Sequence, residues 1–340
     1  MKLLVRATNW VGDAMMCIPA LAAARGRWPQ AHIAILARPW VAGLYQGQGL
    51  ADQIIPSDHA GKHKGIAGIE RLAAELRAEQ FDTALLLQNA FEAAWLALRA
   101  GIPERIGYAR DGRSWLLTRA VPVPRPGEIP PHEANYYLEL LRRAGWLDVL
   151  PPAGEVRLRL AAEALERAES TLREAGARPG ALRIAVAPGA AYGSAKCWPT
   201  ERYAALADRL IADCDADVIL FSAPTERDVC GRIAGSMQRR AVMLAGQTAI
   251  GDLPALLAQC RLFIGNDSGA MHVAAAVGLP VVAVFGPTDS QGTAPLTPAF
   301  TLVREPVSCS PCFLRHCPVD HRCMTRVDVN RVYAAARARL

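Results

Sequence analysis

The sequence predicts an α/β protein made of two doubly wound units, each with a parallel sheet. The chain has 340 residues, which suits two domains of ordinary size. Short apolar runs alternate with amphipathic segments of helical length along most of the chain. This alternation is interrupted near residues 150–180 and starts again at Arg183, so we divide the chain into units 1–165 and 166–340.

The alternating elements can be assigned in chain order. In the first unit, apolar runs predict strands at 2–6, 32–37, 52–56 and 81–87, with helices at 14–27, 68–79, 91–99 and 132–144. The proline-rich segment 121–131 is predicted to be irregular. In the second unit, strands are predicted at 183–187, 217–221, 241–244, 261–264 and 280–285, with helices at 201–213, 225–236, 252–258 and 269–277.

Composition narrows the class of protein. Hydrophobic residues make up 51% and charged residues 21% of the chain, which is typical of a globular protein with a large core. The net charge of +6 allows an acidic substrate or an anionic surface without requiring either. No nucleic-acid-binding signature, signal peptide or long apolar stretch is present, so we expect a cytoplasmic protein that neither binds nucleic acid nor spans a membrane.

The stretch GNDSGAMHVAAAVG, residues 265–278, places polar groups between a predicted strand and a predicted helix. Ligands of open α/β sheets bind beyond the carboxyl ends of the strands, and a helix N-terminus favours an anion. Asp267, Ser268, Gly269 and His272 are therefore candidates for an anion-binding loop. The alternative is that Asp267 and Ser268 cap the helix while His272 belongs to the core.

The segment VAPGAAYGSAKCWP, residues 186–199, has the same placement after a predicted strand. Its glycines free the backbone and Lys196 supplies a cation, although the phosphate-binding pattern GxxxxGK[ST] is absent. The two loops together predict a diphosphate site, unless Lys196 is simply a solvated surface lysine. A third loop, TNWVGDAMM at 8–16, holds Asp13, which is either a general base or a charge at a helix N-terminus.

These motifs together resemble those of glycosyltransferase family nine, the ADP-heptose:lipopolysaccharide heptosyltransferases, with the type II enzymes as the most similar type. The resemblance rests on NWVGDAMMCIPAL, RIGY, PGAAYGSAKCWP and NDSGAMHVAAAVGLPVVAVFGPT, and it extends over nearly the whole chain. It implies a GT-B fold, in which two Rossmann-like domains face each other across a cleft. It also implies that the C-terminal domain binds the donor, ADP-heptose, and that the N-terminal domain binds the acceptor, the inner core on lipid A–Kdo.

The resemblance also implies roles for individual residues. Asp13 matches the family's general base, and Lys196 matches the lysine that binds the donor phosphates. The NDSG loop, with Asp267, Ser268, Gly269 and His272, matches the donor loop. Glu226 matches a carboxylate that binds the donor ribose; the alternative is a solvated glutamate at a helix start.

Candidates for the acceptor site follow from the same resemblance. Lys62 and Lys64 belong to the basic loop HAGKHKG, which is either an anion-binding loop or a solvated run of charge. Asn89 follows the strand at 81–87 and is a candidate for contact with the acceptor. Arg110 is a further candidate, as are Arg105 and Arg113, of which at least one is expected to be an ordinary surface residue.

The segment CSPCFLRHCPVDHRC departs from the family pattern. It contains Cys309, Cys312, Cys317 and Cys323, with two histidines interleaved, a spacing that could ligate zinc or an iron–sulfur centre. The alternative is a set of free or reversibly oxidised thiols. We predict that catalysis needs no cofactor in either case, because the resemblance does not depend on this segment.

The sequence therefore predicts an inverting glycosyltransferase that transfers L-glycero-D-manno-heptose from ADP-heptose to the lipopolysaccharide inner core. Its acceptor is lipid-anchored, so we expect peripheral binding at the inner face of the inner membrane. A type I or type III acceptor and a GT-B nucleotide-sugar epimerase are the alternatives. A dinucleotide oxidoreductase lacks its GxGxxG motif here, and the presence of Asp13 and Lys196 argues against a non-enzymatic nucleotide-binding module.

Overall fold

The computed structural model describes residues 1–340, which divide into two compact units, Met1–Gly154 and Glu155–Leu340. The division precedes the boundary that we predict from the sequence, at 165/166. The segment after Glu155 belongs to the second unit, where the backbone N–H of Leu158 donates to the carbonyl of Ala276 at 2.9 Å. None of the helices combines the length and the apolar character that a membrane-spanning segment needs.

Unit 1 is built around one parallel sheet of six strands. The strands are β1 (Lys2–Arg6), β2 (His32–Ala37), β3 (Gln53–Pro56), β4 (Thr83–Leu86), β5 (Glu104–Tyr108) and β6 (Arg119–Val121). Their spatial order is β3-β2-β1-β4-β5-β6, with every neighbouring pair parallel. The helices are α1 (Val11–Met16), α2 (Ile18–Arg27), α3 (Pro39–Ala42), α4 (Gly65–Ala78), α5 (Phe91–Arg99) and α6 (Glu133–Arg143).

Unit 2 repeats this architecture with the same strand order. Its strands are β7 (Leu182–Ala187), β8 (Ala216–Leu220), β9 (Val242–Met243), β10 (Leu262–Asn266), β11 (Val281–Phe285) and β12 (Phe300–Arg304). They form a parallel sheet in the order β12-β11-β10-β7-β8-β9. The change of direction between β7 and β10 is the kind of switch point beside which α/β sheets bind ligands.

The helices of unit 2 cover both faces of that sheet and continue to the end of the chain. They are α7 (Ala162–Glu174), α8 (Thr200–Cys214), α9 (Arg227–Ser236), α10 (Leu253–Ala258), α11 (Gly269–Ala276), α12 (Ser290–Thr293), α13 (Arg322–Thr325) and α14 (Val329–Arg337). Apolar side chains of α8, β7, β10 and α14 meet in one buried core cluster, so the C-terminal helix is part of the unit and not an appendage.

The structure differs from the sequence prediction in a few elements. The helix predicted at 14–27 is divided into α1 and α2 at Cys17, because Pro19 lies in the first turn of α2 and has no backbone N–H to continue the α1 ladder. The elements for which the sequence analysis gives no bounds include β5, β6, β12 and α7. Of these strands, β6 and β12 lie at sheet edges, and α7 buries only Ala168 and Leu172, so its apolar pattern is weak.

Asn266, the last residue of β10, is a fully buried polar group that fixes the loop after β7. Its Oδ1 accepts hydrogen bonds from the backbone N–H of Trp198, at 3.1 Å, and from the hydroxyl of Tyr203, at 2.8 Å. Its Nδ2 donates to the carbonyl of Pro188 at 2.6 Å. One side chain thus ties both ends of the loop at 188–198 to the neighbouring strand.

Replacing Asn266 with alanine is expected to lower the free energy of unfolding by about 3 kcal/mol, because buried polar groups on three partners then lose their hydrogen bonds. Urea unfolding measured by fluorescence and circular dichroism tests this. Asn330→Ala is the control, because Asn330 is exposed and the change should alter the same free energy by less than about 0.5 kcal/mol. Equal effects of the two substitutions would contradict the anchoring role of Asn266.

Candidate active site

Loops from three neighbouring strands of unit 2 meet at the carboxylate of Asp267. This side chain follows β10 and is 5% exposed. Its Oδ2 lies 2.6 Å from Nζ of Lys196, in the loop after β7, and accepts a hydrogen bond of 2.6 Å from Oγ1 of Thr288, after β11. The structure thus brings Lys196 and Asp267 together, and it adds Thr288, which the sequence analysis did not identify.

The N-terminus of α11 lies directly after this carboxylate. Ser268 is the N-cap residue, but its hydroxyl makes no capping hydrogen bond, and Oγ is buried without a hydrogen-bond partner. Buried hydroxyls without partners are rare in proteins. Because the first backbone N–H groups of a helix also lack partners within the helix, Ser268 and Gly269 together present donors suited to an anion.

His272 and Glu226 occupy the flanks of this site. His272 lies one turn into α11 and is only 7% exposed. Glu226 ends a short 3-10 turn, Pro224–Glu226, after β8, and its carboxylate packs so closely on Gly189 that a side chain at that glycine would overlap it. Burial raises the pKa of Glu226, and backbone hydrogen bonds at Ala223 and Ala190 partly oppose this effect.

The cysteine-rich segment makes hydrogen bonds to the Lys196 loop. The backbone N–H of Ala195 donates to the carbonyl of Arg315 at 3.0 Å, and Nε2 of His321 lies 2.7 Å from the carbonyl of Ala195. Nδ1 of His316 lies 3.0 Å from Oγ of Ser194. The two interleaved histidines are therefore engaged with the loop.

The structure gives no support to a metal in this segment. No group of three or more histidine, cysteine, aspartate or glutamate side chains is arranged to hold a metal ion. Cys309, Cys312 and Cys317 are exposed free thiols, whereas Cys323 is buried in α13 against Gly286. The segment is bound to the loops after β7 and β11 by hydrogen bonds and close packing.

In unit 1, Asp13 lies in the first turn of α1, after β1, and a second carboxylate lies near it. Burial raises the pKa of Glu133, in the first turn of α6, and the charge of Asp13 raises it further, while Arg110 opposes the shift. The sequence analysis did not identify Glu133. Its only sequence signal is an acidic residue in the first turn of a helix that follows a proline-rich segment.

The predicted acceptor residues fall into two groups. Asn89 and Arg110 meet at the hydroxyl of Tyr136, which accepts from Nδ2 of Asn89 at 3.0 Å and from Nη1 of Arg110 at 3.4 Å. Lys62 and Lys64 lie in the loop after β3, where Nζ of Lys62 pairs with Oε1 of Glu75 at 2.7 Å and Lys64 is exposed. Tyr136 is another residue that the sequence analysis did not identify.

Two other arginines considered as acceptor ligands have structural roles. Arg113 is fully buried and donates to the carbonyls of Tyr108 and Gln88 and to Oδ1 of Asn89, so it fixes the loop after β4. Arg105 donates to the carbonyls of Leu116 and Ile102. Their guanidinium groups are thus occupied by the backbone of unit 1.

Comparison with known proteins identifies the family. The model of glycosyltransferase family 9 (heptosyltransferase) matches residues 69–322. The chain is 32% identical over 312 residues to lipooligosaccharide heptosyltransferase 2 of Haemophilus influenzae, covering 89% of this chain and 88% of that protein. It is 31% identical over 312 residues to lipopolysaccharide heptosyltransferase 2 of Escherichia coli, with the same coverage.

Solved structures agree with this result. The structure of E. coli ADP-heptose LPS heptosyltransferase II superimposes with a TM-score of 0.82 at 28% identity, covering 99% of this chain and 98% of that one. The α/β fold of the GT-B class that the sequence predicts is confirmed by this likeness and by the two Rossmann-like sheets. The chain belongs to glycosyltransferase family 9, the heptosyltransferases.

Proposed function

We propose that this protein is an inverting heptosyltransferase of type II, which transfers L-glycero-D-manno-heptose from ADP-heptose to the lipopolysaccharide inner core. The observation that carries the proposal is that Lys196 pairs with Asp267 directly before the N-terminus of α11, where the hydroxyl of Ser268 is buried without a partner. Similarity to type 2 heptosyltransferases over 89% of the chain supports the same donor and the same class of acceptor.

The donor would bind at the loops after β7, β10 and β11. Lys196 and His272 offset the charge of the diphosphate, while Oγ of Ser268 and the first amides of α11 donate hydrogen bonds to its oxygens. The carboxylate of Glu226 accepts hydrogen bonds from the ribose hydroxyls. Asp267 has a different role, because its Oδ2 already holds Lys196 and Thr288 in place.

The reaction needs a base at the acceptor hydroxyl. Asp13 takes the proton as the acceptor oxygen attacks the anomeric carbon, ADP leaves with the electrons of the broken bond, and the anomeric configuration is inverted. The neighbouring Glu133 is half-buried and offers a second carboxylate to the hydroxyls of a sugar. Asn89 and Arg110, joined through Tyr136, contribute polar contacts to the lipid A–Kdo inner-core acceptor, and Lys62 and Lys64 contribute positive charge.

We further propose that unit 1 binds peripherally to the inner face of the cytoplasmic membrane. After each of the first five strands, the chain exposes a large apolar side chain: Trp10 (47%), Trp40 (52%), Ile66 (83%), Phe91 (43%) and Trp115 (69%). The carboxyl ends of parallel strands share one edge of a sheet, so these side chains belong to one end of the unit. Tryptophan favours the membrane interface, and lysines in the same loops suit an anionic surface.

Asp13→Asn is expected to lower turnover by about a hundredfold or more, because the side chain can no longer accept the proton, while ADP-heptose binding stays unchanged. Turnover is measured with purified inner-core acceptor and donor binding by calorimetry. Glu163→Gln, which removes a first-turn carboxylate from α7, is the control and should leave both quantities unchanged. Full turnover in Asp13→Asn would contradict the general-base role.

Lys196→Ala and His272→Ala are each expected to weaken ADP-heptose binding by about tenfold or more, because each removes a charge-assisted contact to the diphosphate. Calorimetric titration with ADP-heptose and with UDP-glucose measures this, and the parent protein should bind only the ADP sugar tightly. Arg232→Ala, which removes an exposed cation from α9, is the control. Equal affinity for the two sugars would contradict the donor site, and so would an affinity for ADP-heptose that neither Lys196→Ala nor His272→Ala changes.

Ile66→Ser and Trp115→Ser are expected to lower the fraction of protein that floats with phosphatidylglycerol-containing vesicles severalfold, because each removes an apolar side chain from the membrane-facing end of unit 1. Val149→Ser is the matched control, because Val149 is 73% exposed in the same unit but does not follow a strand. If the control lowers flotation as much as the other two variants, exposed apolar surface in general and not this end of the unit is responsible.

A further inference from the structure

A second cluster of buried polar side chains lies at the carboxyl ends of β2 and β3 in unit 1. Arg38 follows β2, Ser57 and His59 follow β3, and Glu92 lies in the first turn of α5. Nη2 of Arg38 lies 3.6 Å from Oε1 of Glu92, and Nδ1 of His59 lies 3.4 Å from the same oxygen. The backbone N–H of Ser57 donates to the carbonyl of Ala37 at 2.7 Å, which places the serine beside the start of the Arg38 loop.

Several atoms of this cluster are buried without a hydrogen-bond partner. They are Nε and Nη1 of Arg38, Oγ of Ser57 and Nε2 of His59. Ser57 is fully buried, and the side chains of Arg38 and His59 are only 11% and 17% exposed. A buried donor without an acceptor is costly, and several of them in one place indicate a site that a ligand completes.

The charge around the cluster is unbalanced in favour of cations. Arg6 is buried next to it, and desolvation together with the positive charge of Arg38 lowers the pKa of Arg6 to about 10. Glu92 faces both arginines, but its side chain is 38% exposed and meets Arg38 only at a long distance. Asp58 is also nearby, yet its Oδ1 accepts from the backbone N–H groups of Ala60 and Gly61.

We propose that Arg38, Ser57 and His59 form a binding site for a phosphate group, in which the phosphate replaces the carboxylate of Glu92 as counter-ion. A guanidinium, a hydroxyl and an imidazole can each donate a hydrogen bond to a tetrahedral oxyanion, and a dianion offsets the charges of Arg6 and Arg38 better than one half-exposed carboxylate does. The identity of the phosphate rests on the proposed function: we assign it as a substituent of the acceptor. The acceptor enters at the end of the sheet where Asp13 lies.

The site is tested first with inorganic phosphate as the probe. All proteins carry Lys196→Ala, which weakens the competing anion site of unit 2. Calorimetric titration should show that Arg38→Ala binds phosphate about tenfold more weakly or worse, because charge-assisted hydrogen bonds are lost. Glu92→Gln should bind phosphate more tightly, since the internal counter-ion is removed. Arg71→Ala, which removes an exposed cation from α4, should leave the affinity unchanged.

The Glu92→Gln variant controls for loss of binding through misfolding, because a misfolded protein would not bind phosphate more tightly. The proposal is overturned if Arg38→Ala binds phosphate as the parent does, if Arg71→Ala weakens binding equally, or if Glu92→Gln brings no gain. A second arm compares phosphorylated with dephosphorylated acceptor in the otherwise unchanged enzyme. Arg38→Ala should raise KM severalfold for the phosphorylated acceptor alone, with kcat preserved. If the site binds only free phosphate, the KM values for both acceptors stay unchanged, and the assignment of the phosphate to the acceptor is overturned.

These outcomes are distinguishable from failure of the proposed function. If ADP-heptose does not bind to the protein in which Lys196 is intact, the heptosyltransferase proposal fails, yet the phosphate titrations of Arg38→Ala and Glu92→Gln still decide the site. Conversely, Arg38→Ala with Lys196 intact should bind ADP-heptose normally, because Arg38 belongs to unit 1 and the donor loops to unit 2.

Discussion

The buried ion pair between Asp267 and Lys196 is the interaction on which the donor-side loops depend. One carboxylate oxygen receives both Nζ of Lys196 and the hydroxyl of Thr288, so loops after three adjacent strands are fixed at a single point. Breaking a buried pair by removing one partner costs about 3–5 kcal/mol, because the remaining charge has no counter-ion. The same ion pair therefore fixes the position of Lys196 and holds the surrounding loops together.

The two units share a strand order but place different side chains at the carboxyl edge of the sheet. In unit 2 this edge presents donors and a cation, at Ser268 and Lys196, which suit an anionic leaving group. In unit 1 it presents the carboxylates of Asp13 and Glu133 together with exposed tryptophans. Topology decides only where the loops lie. The side chains on those loops, and not the fold, determine which groups each unit offers to a ligand.

The parts of the site that could be predicted are those carried by short motifs at strand ends. Lys196 and Asp267 lie 71 residues apart, yet both follow predicted strands of one parallel sheet, so their meeting follows from topology. Tyr136 and Glu133 could not be predicted, because their roles arise only when α6 reaches residues such as Asn89, 47 positions away. The structural role of Arg113 could not be predicted either, because arginine is rarely buried, and only the structure shows the carbonyls that accept its hydrogen bonds.

The cysteine-rich segment illustrates the same limit. Its spacing left a metal site and a set of free thiols both open. In the structure the histidines between the cysteines contact Ser194 and Ala195, and the backbone N–H of Cys312 donates to the carbonyl of Pro287 at 3.0 Å. The segment thus adds hydrogen bonds in the Lys196 loop, whose ends are held by Asn266, and it also holds the loop after β11. A loop fixed at several points loses little conformational entropy when it binds a ligand, so more of the contact energy is retained as affinity. In the proposed donor site, the segment would contribute preorganisation of the loop, which needs no contact with the donor.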